Sequence, residues 1–151
     1  MAPVKRAAAL ALLSLAGCSS FDGDFEEKAL PRSEGLGSLS LVGRWEGTWT
    51  SDETGHTGGL RCIITGGGHG EYAARYHATY GWCIFQFAFE YTLPTTAIRQ
   101  GSAWMLHGSA FLDSWIASGL YSYEARVEGD DYIASYRSSF DHGIFRMKRV
   151  R

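Results

Sequence analysis

From Leu39 onward the chain alternates apolar and polar residues with a period of two, in runs broken by turn residues. The clearest run is Gly43-Arg44-Trp45-Glu46-Gly47-Thr48-Trp49-Thr50. Gly43, Trp45, Gly47 and Trp49 share one face, and Arg44, Glu46, Thr48 and Thr50 the other. That is the pattern of a half-buried strand. The glycines between the tryptophans leave room for a bend or for a crossing side chain. Further strands are predicted over Gly59–Thr65, Glu71–Thr79 and Cys83–Leu93, the last with Phe85, Phe87, Phe89, Tyr91 and Leu93 on one face. Pro94, with no ladder donor, is expected to close that strand. A short piece from Thr95 to Arg99 follows, then strands over Ala103–Phe111, Ala117–Val127, Tyr132–Ser138 and Ile144–Val150. Polar or glycine-rich turns separate them, among them Gly66-Gly67-Gly68-His69-Gly70 and the hairpin signal Glu128-Gly129-Asp130-Asp131. The expected fold is all-β: an antiparallel up-and-down meander of about eight strands. Closing it into a small barrel removes its two free edges, and a two-sheet sandwich is the competing architecture.

The first residues follow another pattern. Lys5 and Arg6 precede the apolar run Ala7–Leu15, which is too short to span a bilayer and reads as a targeting segment. It ends in Leu15-Ala16-Gly17-Cys18, which resembles the lipobox of bacterial lipoproteins. The resemblance implies a signal peptide over 1–17, cleavage before Cys18, and acylation of that cysteine into a lasting membrane anchor. Ser19 stands where that family places its retention aspartate, which implies the outer membrane, periplasmic side, in a two-membrane bacterium. Residues 18–38 have no sustained apolar period and read as a tether with at most one helical turn around Phe25, Ala29 and Leu30. Residues 39–151 form the β-barrel domain.

Composition adds two constraints. All aromatic residues except Phe21 and Phe25 lie from Trp45 onward, so that region can build a substantial core. The net charge is −2, with no cluster of lysine and arginine, which argues against nucleic acid as a partner.

Gly43-Arg44-Trp45 at the start of the domain, with Arg146 or Arg149 near its end, resembles the calycin superfamily of lipocalins, fatty-acid-binding proteins and avidins. That resemblance implies that Trp45 closes one end of the barrel and that one of the two arginines packs over it. Val42–Glu46 followed by Gly70–Tyr76 is similar to avidins, but the biotin-contact pattern is missing, as is the C-terminal helix of lipocalins. Gly-x-Trp-x-Gly-x-Trp with a closing Asp-x-Gly-x-Phe-x-Met is also similar to small bacterial proteins, which adds no function.

The candidate chemistry is sparse. Cys62 and Cys83 could pair in an oxidising compartment, yet a simple meander places a strand between them, about two inter-strand spacings of ~4.8 Å, and two buried thiols are the alternative. His56, His69, His77, His107 and His142 lack metal-ligand spacing, so no metal is expected. Neither a cofactor motif nor a convergent catalytic set is present, and no enzyme activity is expected. Glu46, Glu71, Glu90 and Glu124 read as solvated exterior, paired across strands with arginines such as Arg75 and Arg126. The aromatic face, with Trp45, Trp49, Tyr76, Phe85, Phe87, Tyr121 and Tyr123, is either packed core or the lining of a ligand cavity. Two functions follow. One is non-catalytic carriage of a small hydrophobic molecule, the other an envelope interaction module with a filled barrel that binds another envelope protein. A cavity of about 300 Å³ or more favours the first.

Overall fold

The computed structural model describes residues 20–27, 40–82, 85–113 and 118–151. Eight strands follow a short helix: α1 (Ser20–Glu27), β1 (Gly43–Ser51), β2 (Thr57–Gly68), β3 (Glu71–Trp82), β4 (Phe85–Gln100), β5 (Ala103–Asp113), β6 (Ser118–Glu128), β7 (Asp131–Arg137) and β8 (His142–Arg149). Each pairs antiparallel with its neighbour in sequence, and β8 returns to β1, closing the barrel. Around Trp45 the register sets Cys62 of β2 on one side and Arg149 of β8 on the other. The meander and its closure are thus as the alternation predicts. Cys18, the leader expected over 1–17, most of the 18–38 segment and Cys83 lie outside the described residues.

Two expectations are corrected. Pro94 does not end a strand: β4 runs through it as one element of 16 residues, absorbing the separate piece expected from Thr95. The Pro94 carbonyl faces Gly108 of β5, within 2.8 Å of where a Cβ would stand there. In an antiparallel ladder a residue's N–H and C=O face the same neighbour. The missing donor therefore faces β5, whose pairing with β4 begins only at Thr95↔Gly108. Proline sits where no ladder bond is asked of it. Past that point β4 keeps only β3, and β5 keeps only β6, so the wall forks.

The second correction is α1, a full eight-residue helix rather than a single turn. Phe21 and Phe25 are one turn and a half-step apart, so they share a face and stack on each other at 5.6 Å. Both are buried against Ile63 on the outer wall of β2. Phe21 also stacks on His77 at 5.1 Å, and the Arg61 and Arg75 guanidinium groups lie over its ring at 5.4 and 5.3 Å. Arg61 pairs with Asp22, and Arg75 with both Asp24 and Glu90. Arg75 makes the expected cross-strand pair with Glu90, and together with Arg61 it also holds the helix by stem, ring and charge.

Inside the barrel the inward residues of all eight strands make one core, from Leu41 and Trp45 through Tyr76 and Tyr132 to Met147. Buried phenols need partners, and most have them: Tyr76 and Tyr132 bond hydroxyl to hydroxyl at 2.6 Å, and Tyr123 bonds Thr95. Gly47 sits between the tryptophans because β8 passes too close for a side chain. A Cβ there would fall 1.9 Å from the Arg146 carbonyl oxygen.

Candidate functional site

The two ends of the barrel are built differently. At one end Trp45 is fully buried, and its indole N–H donates to the Leu41 carbonyl at 3.3 Å. The Arg149 guanidinium lies 4.2 Å over the Trp45 ring. It donates to the Ser40 and Val42 carbonyls at 2.5 and 3.3 Å, and its Nε stands 3.4 Å from Asp130. Burial pulls the Arg149 pKa down, and the Asp130 charge opposes that. One cation thus joins the chain entering β1 to the last strand and to the β6–β7 turn. Arg146, three residues earlier, points outward into solvent.

At the other end lies a cavity of about 340 Å³, ringed by the turns after β1 and β7 and the far end of the β3–β4 hairpin. Its floor is the top of the core. Tyr91 stacks on Tyr76 at 5.1 Å and on Phe89 at 5.4 Å, and Phe145 stands 5.7 Å from Tyr76. Its walls carry Trp49, Tyr80, Tyr121 and Leu112, and Phe140 stands at the entrance. Trp49 crosses over Gly58, where a Cβ would come within 2.5 Å of the indole nitrogen, to donate to the Thr79 carbonyl at 3.0 Å. Trp49 stacks on Tyr80, which meets His56 edge-on.

The rim is polar. Asp141 accepts from Ser51 Oγ at 2.6 Å and from the Tyr136 hydroxyl at 2.9 Å. Ser51 Oγ in turn accepts from the Thr54 N–H and hydroxyl. Burial first, and the Asp141 carboxylate second, push the Tyr136 pKa up, so this phenol stays a donor. By contrast, Tyr91 and Tyr121 make no hydrogen bond through their hydroxyls within the described structure, and both face the cavity. A larger concavity, about 550 Å³, lies on the outer wall among Glu124, Ser135, Arg137 and His142. It lies against the strand faces opposite the core, where Glu124, Ser135 and Arg137 are exposed.

The proposed lining residues divide between these regions. Trp49 and Tyr121 line the cavity, whereas Trp45, Tyr76 and Tyr123 belong to the packed core beneath it. Phe87 lies beyond the rim and is 40% exposed, and the Phe85 side chain lies outside the described residues. Cys62 is a free, buried thiol in the core, and burial raises its pKa far above the reactive range. Sequence reasoning missed Tyr91, Tyr136, Phe145 and the Ser51–Asp141 pair. The first three sit at inward positions of alternating strands and were legible from parity. The pair joins two turns 90 residues apart, which no local pattern reports.

Among the described residues no three His, Cys, Asp or Glu side chains gather as a metal site. The arrangement can enclose an apolar body, stack on it and hydrogen-bond a polar end. The class of protein so defined is a closed eight-stranded antiparallel barrel with one sealed end and one open, aromatic end. It is similar to the crystal structure of Rv2717c from M. tuberculosis, at a TM-score of 0.50 and 16% identity, over 77% of this chain and 97% of that one. At that identity the likeness shows the fold alone. No protein-family model and no curated protein matches the chain.

Proposed function

We propose that this is a lipoprotein of the bacterial envelope, anchored through Cys18 and facing the periplasm from the outer membrane, whose calycin-like barrel carries a small hydrophobic molecule. The observation that carries the reading is the cavity of about 340 Å³ at the open end, with apolar walls and the hydroxyls of Tyr91 and Tyr121, which make no hydrogen bond among the described residues. Ligand pockets are typically concave and mainly apolar, with a few polar groups that fix orientation. The anchor rests on the basic, apolar and lipobox order of residues 5–18.

The test is native mass spectrometry on the full chain released from its host's membranes. A discrete bound small molecule is expected, and it is lost in Trp49→Ala. Labelling with a radioactive fatty acid is expected to mark the wild type but not Cys18→Ala. A clean apo mass together with a partner protein in pull-downs would favour the interaction module. That second reading draws on Phe111 and Leu120, which face each other across β5 and β6 at 71% and 62% exposure.

A further inference from the structure

We infer that the open cavity selects a lipophilic organic cation, an amine or quaternary ammonium on an apolar body, over neutral or anionic molecules of the same shape. This deepens the carrier reading and rests on it. Three observations lead there.

The first is the charge of the lining. Among its described residues the cavity has one carboxylate, Asp141, and neither lysine nor arginine. A buried fatty-acid head group would meet no cation there, and burying an unpaired carboxylate is costly. Asp141 accepts two hydrogen bonds, from Ser51 and Tyr136. A carboxylate offers about four acceptor positions, so about half its capacity is left for a ligand.

The second is the walls. Trp49, Tyr80, Tyr121 and Phe140 come from four different parts of the chain and surround one space. Aromatic faces attract cations through their quadrupoles, most strongly when tryptophan and tyrosine are combined and water is excluded. Apolar Ala78, Phe89 and Phe145 deepen the pocket toward the core, while Ser51, Thr54, His56 and Asp141 belong to the rim. That gradient seats the apolar body inward and the charged head at the mouth, where its desolvation is least.

The third is the field around the entrance. The turns and strand ends at this end carry Asp52, Glu53, Asp113 and Asp141 against Arg137; Asp52 and Arg137 both line the outer-wall concavity, and Glu53 stands 3.1 Å from His142 Nδ1. Arg44, Arg149 and Arg151 belong to the sealed end. An acidic mouth concentrates cations and repels anions before contact.

The test uses the full chain in phosphatidylcholine nanodiscs, titrated calorimetrically against empty discs with three matched probes. These are naphthylmethyl-trimethylammonium, naphthylmethanol and naphthoate. The cation is expected to bind about tenfold tighter than the alcohol, with the carboxylate weakest. Asp141→Asn removes the charge and keeps one acceptor oxygen, for Ser51, while its amide can donate to the Tyr136 hydroxyl. The substitution is expected to bring the cation down to about the alcohol's affinity. Equal wild-type affinity for cation and alcohol, or a preference for the carboxylate, overturns the charge selection while the carrier reading stands. Failure of all three probes to bind overturns the carrier reading as well. The wild-type ranking decides even if the Asp141 variant does not fold.

Discussion

Trp45 and Trp49 lie on the same face of the same strand, four residues apart, and do opposite things. Trp45 is closed in by Arg149 above and Tyr132 beside it, at 5.6 Å between ring centroids, with its N–H held by the chain just before β1. Trp49 is half-buried, reaches across a glycine to β3, and leaves a face to the cavity. Residue type and parity are identical. What differs is what the neighbouring strands supply: an arginine over one ring, open space beside the other. An inward tryptophan is therefore a seal or a wall according to the last strand and the turns, not to its own strand.

Substitutions sharpen that contrast, beginning with the largest effect. Trp45→Ala removes a fully enclosed side chain and should cost about 4 kcal/mol of folding stability, read from urea denaturation. Arg149→Met keeps the stem over the ring but strands the Ser40 and Val42 carbonyls, with a loss of about 2 kcal/mol expected. Phe21→Ala is expected to cost about 1 kcal/mol and to open α1 to limited proteolysis while the barrel stays intact. The loss is capped because undocking ends it. Trp49→Ala should cost less than about 1 kcal/mol, since the cavity relieves the packing, yet reduce ligand affinity by about tenfold. A Trp49→Ala loss as large as that of Trp45→Ala would erase the distinction between the two ends.

The smallest effect is a pH dependence beneath α1. Arg61 can only donate, so the His77 ring nitrogen 3.4 Å from it must accept, which requires the neutral imidazole. Burial first, and Arg61 second, hold the His77 pKa below its usual 6.5, opposed by Asp22 and Glu90. The unfolded chain therefore takes up a proton first as pH falls. The His77 contribution is complete above pH 6.5 and is lost as pH drops through the folded value. His77→Phe should flatten the fall in denaturation midpoint between neutral and mildly acidic pH. An unchanged slope would show that His77 does not titrate on unfolding.

How much of this was legible in the sequence follows from the range of each interaction. Strand parity, the hairpin at Gly129 and the closed meander come from local alternation, and the strands fall within a few residues of the predicted runs. The long β4 was misread because a proline's effect depends on which neighbour its missing donor faces, and that is a tertiary fact. Helix α1 reads as no more than a single turn because eight residues show too few turns for a period to emerge, and Phe21 with Phe25 is its whole apolar face. The cavity could be placed on the aromatic face, but not its floor. Whether Tyr76 is core or lining depends on Tyr91 stacking above it, a contact between neighbouring strands.

The fork at Pro94 has a mechanical consequence. Phe85 to Leu93 on β4 and Ser109 to Asp113 on β5 have no ladder bonds between them, so their facing amides should exchange hydrogen with solvent quickly while those of β6 and β7 stay protected. Spreading the two strands breaks no backbone hydrogen bond between them, and the stress stops at the Thr95↔Gly108 pair. The barrel can gape like a clothes-peg at its aromatic end, hinged at that pair, while the end sealed by Trp45 and Arg149 remains shut.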